Sequence, residues 1–370
     1  MIKFCAKCVM PDTRPDLSFD EAGVCAACRS IERKKQVDWE QRAADWANLV
    51  AWAKDRGVHS QYDCIAAVSG GKDSHFIVYQ CIGAGLRTLG VSFEPSSMTP
   101  IGQQNLDNLT NFCDVIQVKK RRDVYRALRL AGFRNVGDSE WPNHVGIFTS
   151  VTRAAVEKGI PLILWGENPQ TEYAPPNEAS QAHGLDRKWF EEFGGLLGLR
   201  VKDVGGQNLS EYDLVPYIWP PAERVKELGL RSVFLGNYFF WDSVSLGIGM
   251  CDKMGFNGTG GSSYWPFENI DDRCAVVWHD FLGLLKYGYS RAQAQLSIEI
   301  RHGYSSRAAA LDTLLRGNWD AYPSAKDEKQ FAGELGIAIE EVRKVCTAYV
   351  NRDIWQGEDV TKLERRVPIL

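Results

Sequence analysis

A short apolar run, Cys64-Ile65-Ala66-Ala67-Val68, stops at Ser69-Gly70-Gly71-Lys72-Asp73-Ser74, and a helical stretch follows at once. Few local patterns constrain a fold more. The run reads as a buried strand, and a helix is expected to begin just after Lys72. Two adjacent glycines let the backbone turn tightly and come close to a ligand. Several backbone N–H groups then surround one concavity, and the helix start adds its partial positive charge, which together favour a phosphate. Lys72 can add a point charge, and Asp73 is placed to hold Mg²⁺ on phosphate oxygens. Ser69, Gly70, Gly71, Lys72, Asp73 and Ser74 are therefore the candidate phosphate-binding residues.

The same alternation continues along the chain. Thr88-Leu89-Gly90-Val91-Ser92-Phe93, Asp114-Val115-Ile116-Gln117-Val118, Pro161-Leu162-Ile163-Leu164-Trp165 and Ser232-Val233-Phe234-Leu235 read as further strands separated by helical lengths. Runs of Val, Ile and Leu linked by helices imply right-handed crossovers and a doubly wound parallel α/β sheet covered on both faces. A polar helix is expected over 30–56, with Trp39, Trp46, Leu49 and Ala53 on its buried face. Residues 166–184 form too long a connection to be a plain loop and are a candidate active-site segment. After about residue 261 the strand signal vanishes, and 274–287, 290–301, 305–315 and 340–349 read as helices. The expected organisation is a small module over 1–29, the sheet domain with its leading helix over 30–260, and a helical region over 261–370.

The first module cannot build an apolar core. It carries Cys5-x-x-Cys8 and Cys25-x-x-Cys28, with sixteen residues between the pairs. That spacing suits a tetrahedral zinc ribbon with no open coordination position, so the metal would be structural. Metal-binding free energy would then supply the folding free energy that burial cannot. An iron–sulfur cluster is the rival for the same ligands.

Composition excludes several classes. The net charge of −4 gives no global reason to expect nucleic acid as a partner. The basic run Lys119-Lys120-Arg121-Arg122 reads as a solvated helix start. No stretch approaches the roughly 20 apolar residues that span a bilayer. The opening Met1-Ile2-Lys3-Phe4-Cys5 has no signal-peptide apolar region, so cytoplasmic location is expected.

The six-residue loop lacks the Gly-x-x-x-x-Gly-Lys-Ser/Thr pattern of NTPases that cleave the β–γ bond. It resembles the loop of the PP-loop (HUP-type) ATP pyrophosphatases, which implies ATP as cofactor and cleavage between the α and β phosphates. Some enzymes with this loop carry their own glutaminase. An N-terminal cysteine nucleophile is excluded here because Ile2 follows Met1, and Gly249-Met250-Cys251-Asp252-Lys253 fails the Gly-x-Cys-x-Gly turn at Lys253. Cys251 reads as a buried thiol.

The opening Cys5-Ala6-Lys7-Cys8-Val9-Met10-Pro11-Asp12-Thr13-Arg14-Pro15 resembles that of the N-acetyl sugar amidotransferases of surface-polysaccharide (lipopolysaccharide O-antigen) biosynthesis. So do the phosphate loop, Gly166-Glu167-Asn168, Trp241-Asp242, and the segment from Tyr287-Gly288-Tyr289-Ser290-Arg291-Ala292 to Ile298-Glu299-Ile300-Arg301. Departures are Ser290, where glycine is expected, and Gln293 to Gln295, where an acidic residue is expected. The resemblance implies conversion of an acetamido group on a nucleotide-linked sugar to an acetamidino group through an O-adenylyl intermediate. Ammonia would come from a partner glutaminase, and ATP, Mg²⁺ and Zn²⁺ would be the cofactors. Glu167, at the end of a strand, and Asp242 join Lys72 and Asp73 as catalytic candidates. Lys286, Arg291, Glu299 and Arg301 are the candidate substrate residues. His279-Asp280 could shuttle a proton but reads as structural. Two rival readings are a tRNA thiolation enzyme, which needs a further cysteine pair and basic surface, and a non-catalytic zinc-ribbon adaptor.

Overall fold

The computed structural model describes residues 2–369 apart from 167–186, 188–189, 192–195, 197, 205–208 and 262. Five strands form one all-parallel sheet: β1 Cys64–Ala67, β2 Thr88–Phe93, β3 Asp114–Val118, β4 Leu162–Trp165 and β5 Arg231–Phe234. Their order is β3-β2-β1-β4-β5. The chain therefore winds outward from β1 through β3, then returns to lay β4 against the other side of β1. The switch point lies between β1 and β4, where ligands bind beyond the carboxyl ends of the strands.

Alternation along β1 explains the two covered faces. Cys64 and Ala66 face one core, with Leu49 and Ala53 of α2 (Trp39–Arg56), Phe76 and Ile77 of α3 (Lys72–Gly83) and Leu106 and Leu109 of α4 (Pro100–Leu109). Ile65 faces the other, with Val151 and Ala155 of α6 (Trp141–Lys158). Helix α5 (Arg122–Val136) follows β3 and buries Tyr125, Leu128 and Phe133. Farther on, α7 (Ala222–Leu228) leads into β5, and α8 (Ser243–Met254) packs on α3. The doubly wound α/β sheet expected from the sequence is thus the one the chain forms, with strand limits shifted by a residue or so.

The helical C-terminal region comprises α9 (Arg273–Tyr287), α10 (Arg291–His302), α11 (Arg307–Arg316), α12 (Ala325–Leu335) and α13 (Ile339–Ala348). Trp278 stacks on Phe331 at 4.5 Å between ring centroids, and Phe133 of α5 meets the same Phe331 edge-on. That cluster fastens the helices to the sheet domain. No helix among the described residues is long and apolar enough to cross a membrane.

Three expectations need correction. The helix expected over 30–56 is two, α1 (Ala26–Lys34) and α2, because Asp38 caps α2 by accepting from the Gln41 N–H. A cap at that point ends one axis and starts another. The helix α12 was not foreseen. Nor is the C-terminal region strandless: Trp355–Gln356 and Glu364–Arg365 pair as a two-residue antiparallel ladder.

Candidate active site

Gly70 adopts φ +95°, and a Cβ there would lie 3.0 Å from the Gly102 carbonyl and the Leu106 nitrogen. Only glycine fits both the conformation and the close approach of α4. Gly71 is the N-cap of α3, and no side chain caps that helix. Its first-turn N–H groups are left for an anion. Ser74 accepts a hydrogen bond from the Ser69 N–H at 2.8 Å, which closes the loop on itself. Behind it, His75 sits fully buried with Nδ1 2.9 Å from the Gly71 carbonyl, and Asn108 holds its other nitrogen at 3.2 Å. Burial lowers the His75 pKa, so the ring braces the loop in its neutral form.

The loop opens onto a cavity of about 450 Å³ beyond the ends of β1, β2 and β4. Val91, Phe93 and Trp165 give it an apolar floor, and Ser69, Asp73 and Asp271 line the loop side. Burial pushes the Asp271 carboxyl up to about 6. Two carboxylates on a phosphate cavity suit Mg²⁺, which is commonly held by one or two carboxylates together with substrate phosphates.

The far wall comes from α6 and α9. Asn143 and His144 line the cavity, and Asn143 Oδ1 and His144 Nδ1 are buried without a hydrogen-bond partner among the described residues. Buried polar atoms are nearly always satisfied, so these two are poised for a ligand. His279 also lines the cavity, with Nδ1 2.9 Å from Asp138 Oδ1. The Asp138 charge outweighs burial and raises His279 to about 9, so the ring is cationic at neutral pH. Near it, burial pushes Glu140 up to about 7 even with Arg129 beside it.

Outside the lining of this cavity, Cys5, Cys8, Cys25 and Cys28 converge with all four sulfurs within 4.8 Å of one another, all buried. Cys5 and Cys28 sulfurs lie 3.9 Å apart, and Cys8 and Cys25 sulfurs 3.7 Å. A disulfide would need about 2.05 Å. A tetrahedron with metal–sulfur bonds of about 2.3 Å puts its corners about 3.8 Å apart. The N–H groups of Cys8 and Cys28 point at Cys5 and Cys25 sulfurs at 3.4 Å, and the Cys25 N–H at Cys5 sulfur at 3.2 Å. Such donors stabilise thiolates. The cluster could hold a metal such as zinc. Its module docks on the C-terminal helices: Thr13 donates to the Tyr287 carbonyl at 2.6 Å, and Arg307 to the Cys8 carbonyl at 3.1 Å.

Residues 262–367 match the family model described as "LPS biosynthesis protein WbpG-like, C-terminal domain". The matched segment is under a third of the chain and contains Asp271, His279 and the helices that receive the cysteine module. No curated protein matches the chain. A solved structure described as that of NMN synthetase from Francisella tularensis aligns at a TM-score of 0.35 with 10% identity, covering 72% of this chain and 94% of that one.

The structure redistributes the candidates read from the sequence. Asp73 lines the cavity, whereas Lys72 lines a smaller neighbouring one of about 160 Å³ with Gly70, Gly71 and Glu268. Its ammonium lies 3.0 Å from Glu268 and 3.3 Å from Asp73, with only 6% of the side chain exposed. Glu268 also takes Arg291 at 2.6 Å and the Gln295 amide at 2.9 Å. Lys72 is thus a buried ion-pair partner more than a free charge for phosphate. Asp242 is a helix cap: Oδ1 accepts from the Val244 and Ser245 N–H groups, and Oδ2 from the Tyr304 hydroxyl at 2.6 Å. Trp241 is 1% exposed and edge-on to Phe76, which leaves no face for a sugar. Lys286 and Arg291 share a second cavity of about 270 Å³ that also reaches His279. Lys286 donates to the Gly137 carbonyl at 3.0 Å. Glu299 accepts from the Trp265 indole at 2.8 Å, and Arg301, half-buried on the same helix, lines neither cavity. Cys251 donates within α8 to the Gly247 carbonyl. Glu167, and residues 167–184 of the expected active-site segment, lie outside the described residues.

Proposed function

We propose that this chain is an ATP-dependent, AMP-forming amidotransferase that converts the acetamido group of a nucleotide-linked sugar to an acetamidino group. The observation that carries the reading is one cavity with an uncapped helix start and Asp73 on one side, and the unpartnered Asn143 and His144 atoms on the other. The WbpG-like match supports a surface-polysaccharide substrate. The three-part division at about residues 29 and 260, and a cytoplasmic location, belong to the same proposal.

The α3 N–H groups would hold the ATP phosphates, and Val91, Phe93 and Trp165 would offer an apolar surface to its adenine. Mg²⁺ held by Asp73 and Asp271 would stabilise charge on the departing pyrophosphate. The substrate amide oxygen attacks the α-phosphorus, and the bond to pyrophosphate breaks. Ammonia then adds its lone pair to the imidate carbon, the carbon–oxygen bond to AMP breaks, and the amidine retains the proton as an amidinium. Cationic His279 faces this space as a proton donor to the AMP oxygen. The apolar floor of Val91, Phe93 and Trp165 would limit the water that could hydrolyse the adenylate.

Purified protein incubated with ATP, Mg²⁺, ammonium and a panel of nucleotide-linked acetamido sugars is expected to release AMP and pyrophosphate with one of them. ADP and phosphate as products would rule the reading out. Glutamine is expected to replace ammonium only when a separate glutaminase is added, since the Cys251 thiol is committed to the Gly247 carbonyl inside α8. With ammonium, the rate should climb about tenfold per pH unit below the ammonium pKa, because only the neutral form attacks. Glutamate release by the chain alone would contradict the need for a partner.

For the cysteine cluster we infer one structural zinc. Metal analysis of the pure protein should find about one equivalent, and iron with visible charge-transfer absorption would replace zinc by a cluster. Cys25→Ala should expose residues 1–29 to proteolysis and leave the affinity for an ATP analogue unchanged.

A further inference from the structure

The basic run at the end of β3 does more than start a helix. Arg121 turns outward to Asp123 and Asp213. Lys120 and Arg122 turn instead into a separate cavity of about 460 Å³, where Arg126 and Arg129 join them. Arg122, Arg126 and Arg129 stand at i, i+4 and i+7 on α5, one face of one helix. Lys120 reaches in from the strand end, its ammonium 3.4 Å from the Tyr125 ring centroid.

Acids offset only part of this charge. Glu94 and Glu334 line the cavity, Arg129 pairs with Glu334 at 2.9 Å and with Glu140 at 3.3 Å, and the Lys120 ammonium donates to the Glu94 carbonyl at 2.6 Å. Arg122 and Arg126 have no carboxylate partner among the described residues, and both are exposed to the cavity mouth. Arg129 is 4% exposed, and its Nη2 has no hydrogen-bond partner among the described residues. A buried guanidinium with an unmet donor beside two uncommitted arginines is the donor set that phosphate oxygens match.

The cavity adjoins the one at the phosphate loop. Pro95 lines both. The partition is Ser96, Glu140 and Arg129: the Ser96 hydroxyl donates to Glu140 at 2.9 Å, and Arg129 Nε lies 3.3 Å from the same carboxyl. On the amidotransferase reading, a ligand anchored by anionic groups on the arginine side would direct its uncharged arm past Pro95 toward Asp73. The volume suits a small ligand, and the net charge of −4 disfavours a polyanion as its occupant.

We propose that Lys120, Arg122, Arg126 and Arg129 bind the diphosphate of the nucleotide-linked substrate, in a site distinct from the ATP phosphate loop. This deepens, and rests on, the amidotransferase reading for the identity of the arm, while the diphosphate site stands on its own residues.

The test uses the full chain. Uridine, guanosine, cytidine and thymidine diphosphates are titrated by calorimetry into the protein and into the double variant Arg122→Ser/Arg126→Ser, with thermal melting as a control for folding. A fluorescent ATP analogue with Mg²⁺ reports the loop separately. One diphosphate should bind the unaltered chain, lose at least about tenfold in affinity in the double variant, and show a shallower salt dependence there. The ATP analogue should bind both proteins alike and resist displacement by that diphosphate. Equal diphosphate binding by both proteins, displacement of the ATP analogue, or no binding of any of the four would overturn the proposal. Arginine-dependent diphosphate binding without ATP-analogue binding would uphold this site and sink the reading of the loop instead.

Discussion

Replacing Asp73 with alanine is expected to lower AMP formation by about 100- to 1,000-fold, the usual loss when one preorganised electrostatic group is taken from a transition state. Asp73 starts α3 beside the uncapped N–H groups and faces the cavity with Asp271. Its charge matters most when negative charge moves onto the leaving pyrophosphate. Binding of the ATP analogue should therefore fall far less than the chemical step. Asp242→Ala separates the two aspartates read from the sequence as catalytic, since Asp242 caps α8 through two N–H groups. Its loss should cost about 1 kcal/mol of stability, as for other helix caps, with turnover nearly intact. Single-turnover AMP release beside a urea titration decides between them. An equal collapse of rate in both variants would mean that Asp242 touches the substrate after all.

These two aspartates also mark what local sequence conveys. The phosphate loop was legible because its chemistry is contiguous: two glycines, an acid and a helix start within six residues. The strands were legible because a sheet covered on both faces requires unbroken apolar runs such as Leu162–Trp165. Helix α12 was harder, because its buried set is only Glu328, Phe331, Ala332 and Leu335. Ser324, which caps it by accepting from the Asp327 N–H, was a usable signal. The cavity wall opposite the loop left almost no local trace. Asn143, His144, Asp271 and His279 belong to segments that only the fold brings together. The same limit applies to Lys72, whose partner Glu268 lies 196 residues away. The arginines at 122, 126 and 129 did carry a signal, a helical period, which the compact run at 119–122 obscured.

Glu268→Ala is expected to cost about 3 kcal/mol, near the low end for breaking a buried pair because the Arg291 side chain is 35% exposed. The carboxylate joins Lys72, Arg291 and Gln295, and so ties the phosphate loop to α10, the helix against which the cysteine module packs. Without it, the 6%-exposed Lys72 ammonium loses its partner at 3.0 Å and retains Asp73 at 3.3 Å. Glu268→Gln preserves shape and should cost less, which separates charge from packing. The pH dependence gives a sharper check. Burial alone would raise the Glu268 pKa, but the charges of Arg291 and then Lys72, with the hydrogen bonds, hold it well below the usual carboxylate range. A depressed folded pKa contributes stability that is full above the unfolded value, about 4.3, and is lost as pH falls from there toward the folded value. Urea denaturation of the native chain and Glu268→Gln should therefore differ at pH 7 and converge as pH drops below about 4. A gap that stays constant between pH 7 and pH 3 would show that the carboxylate's charge does not hold this junction.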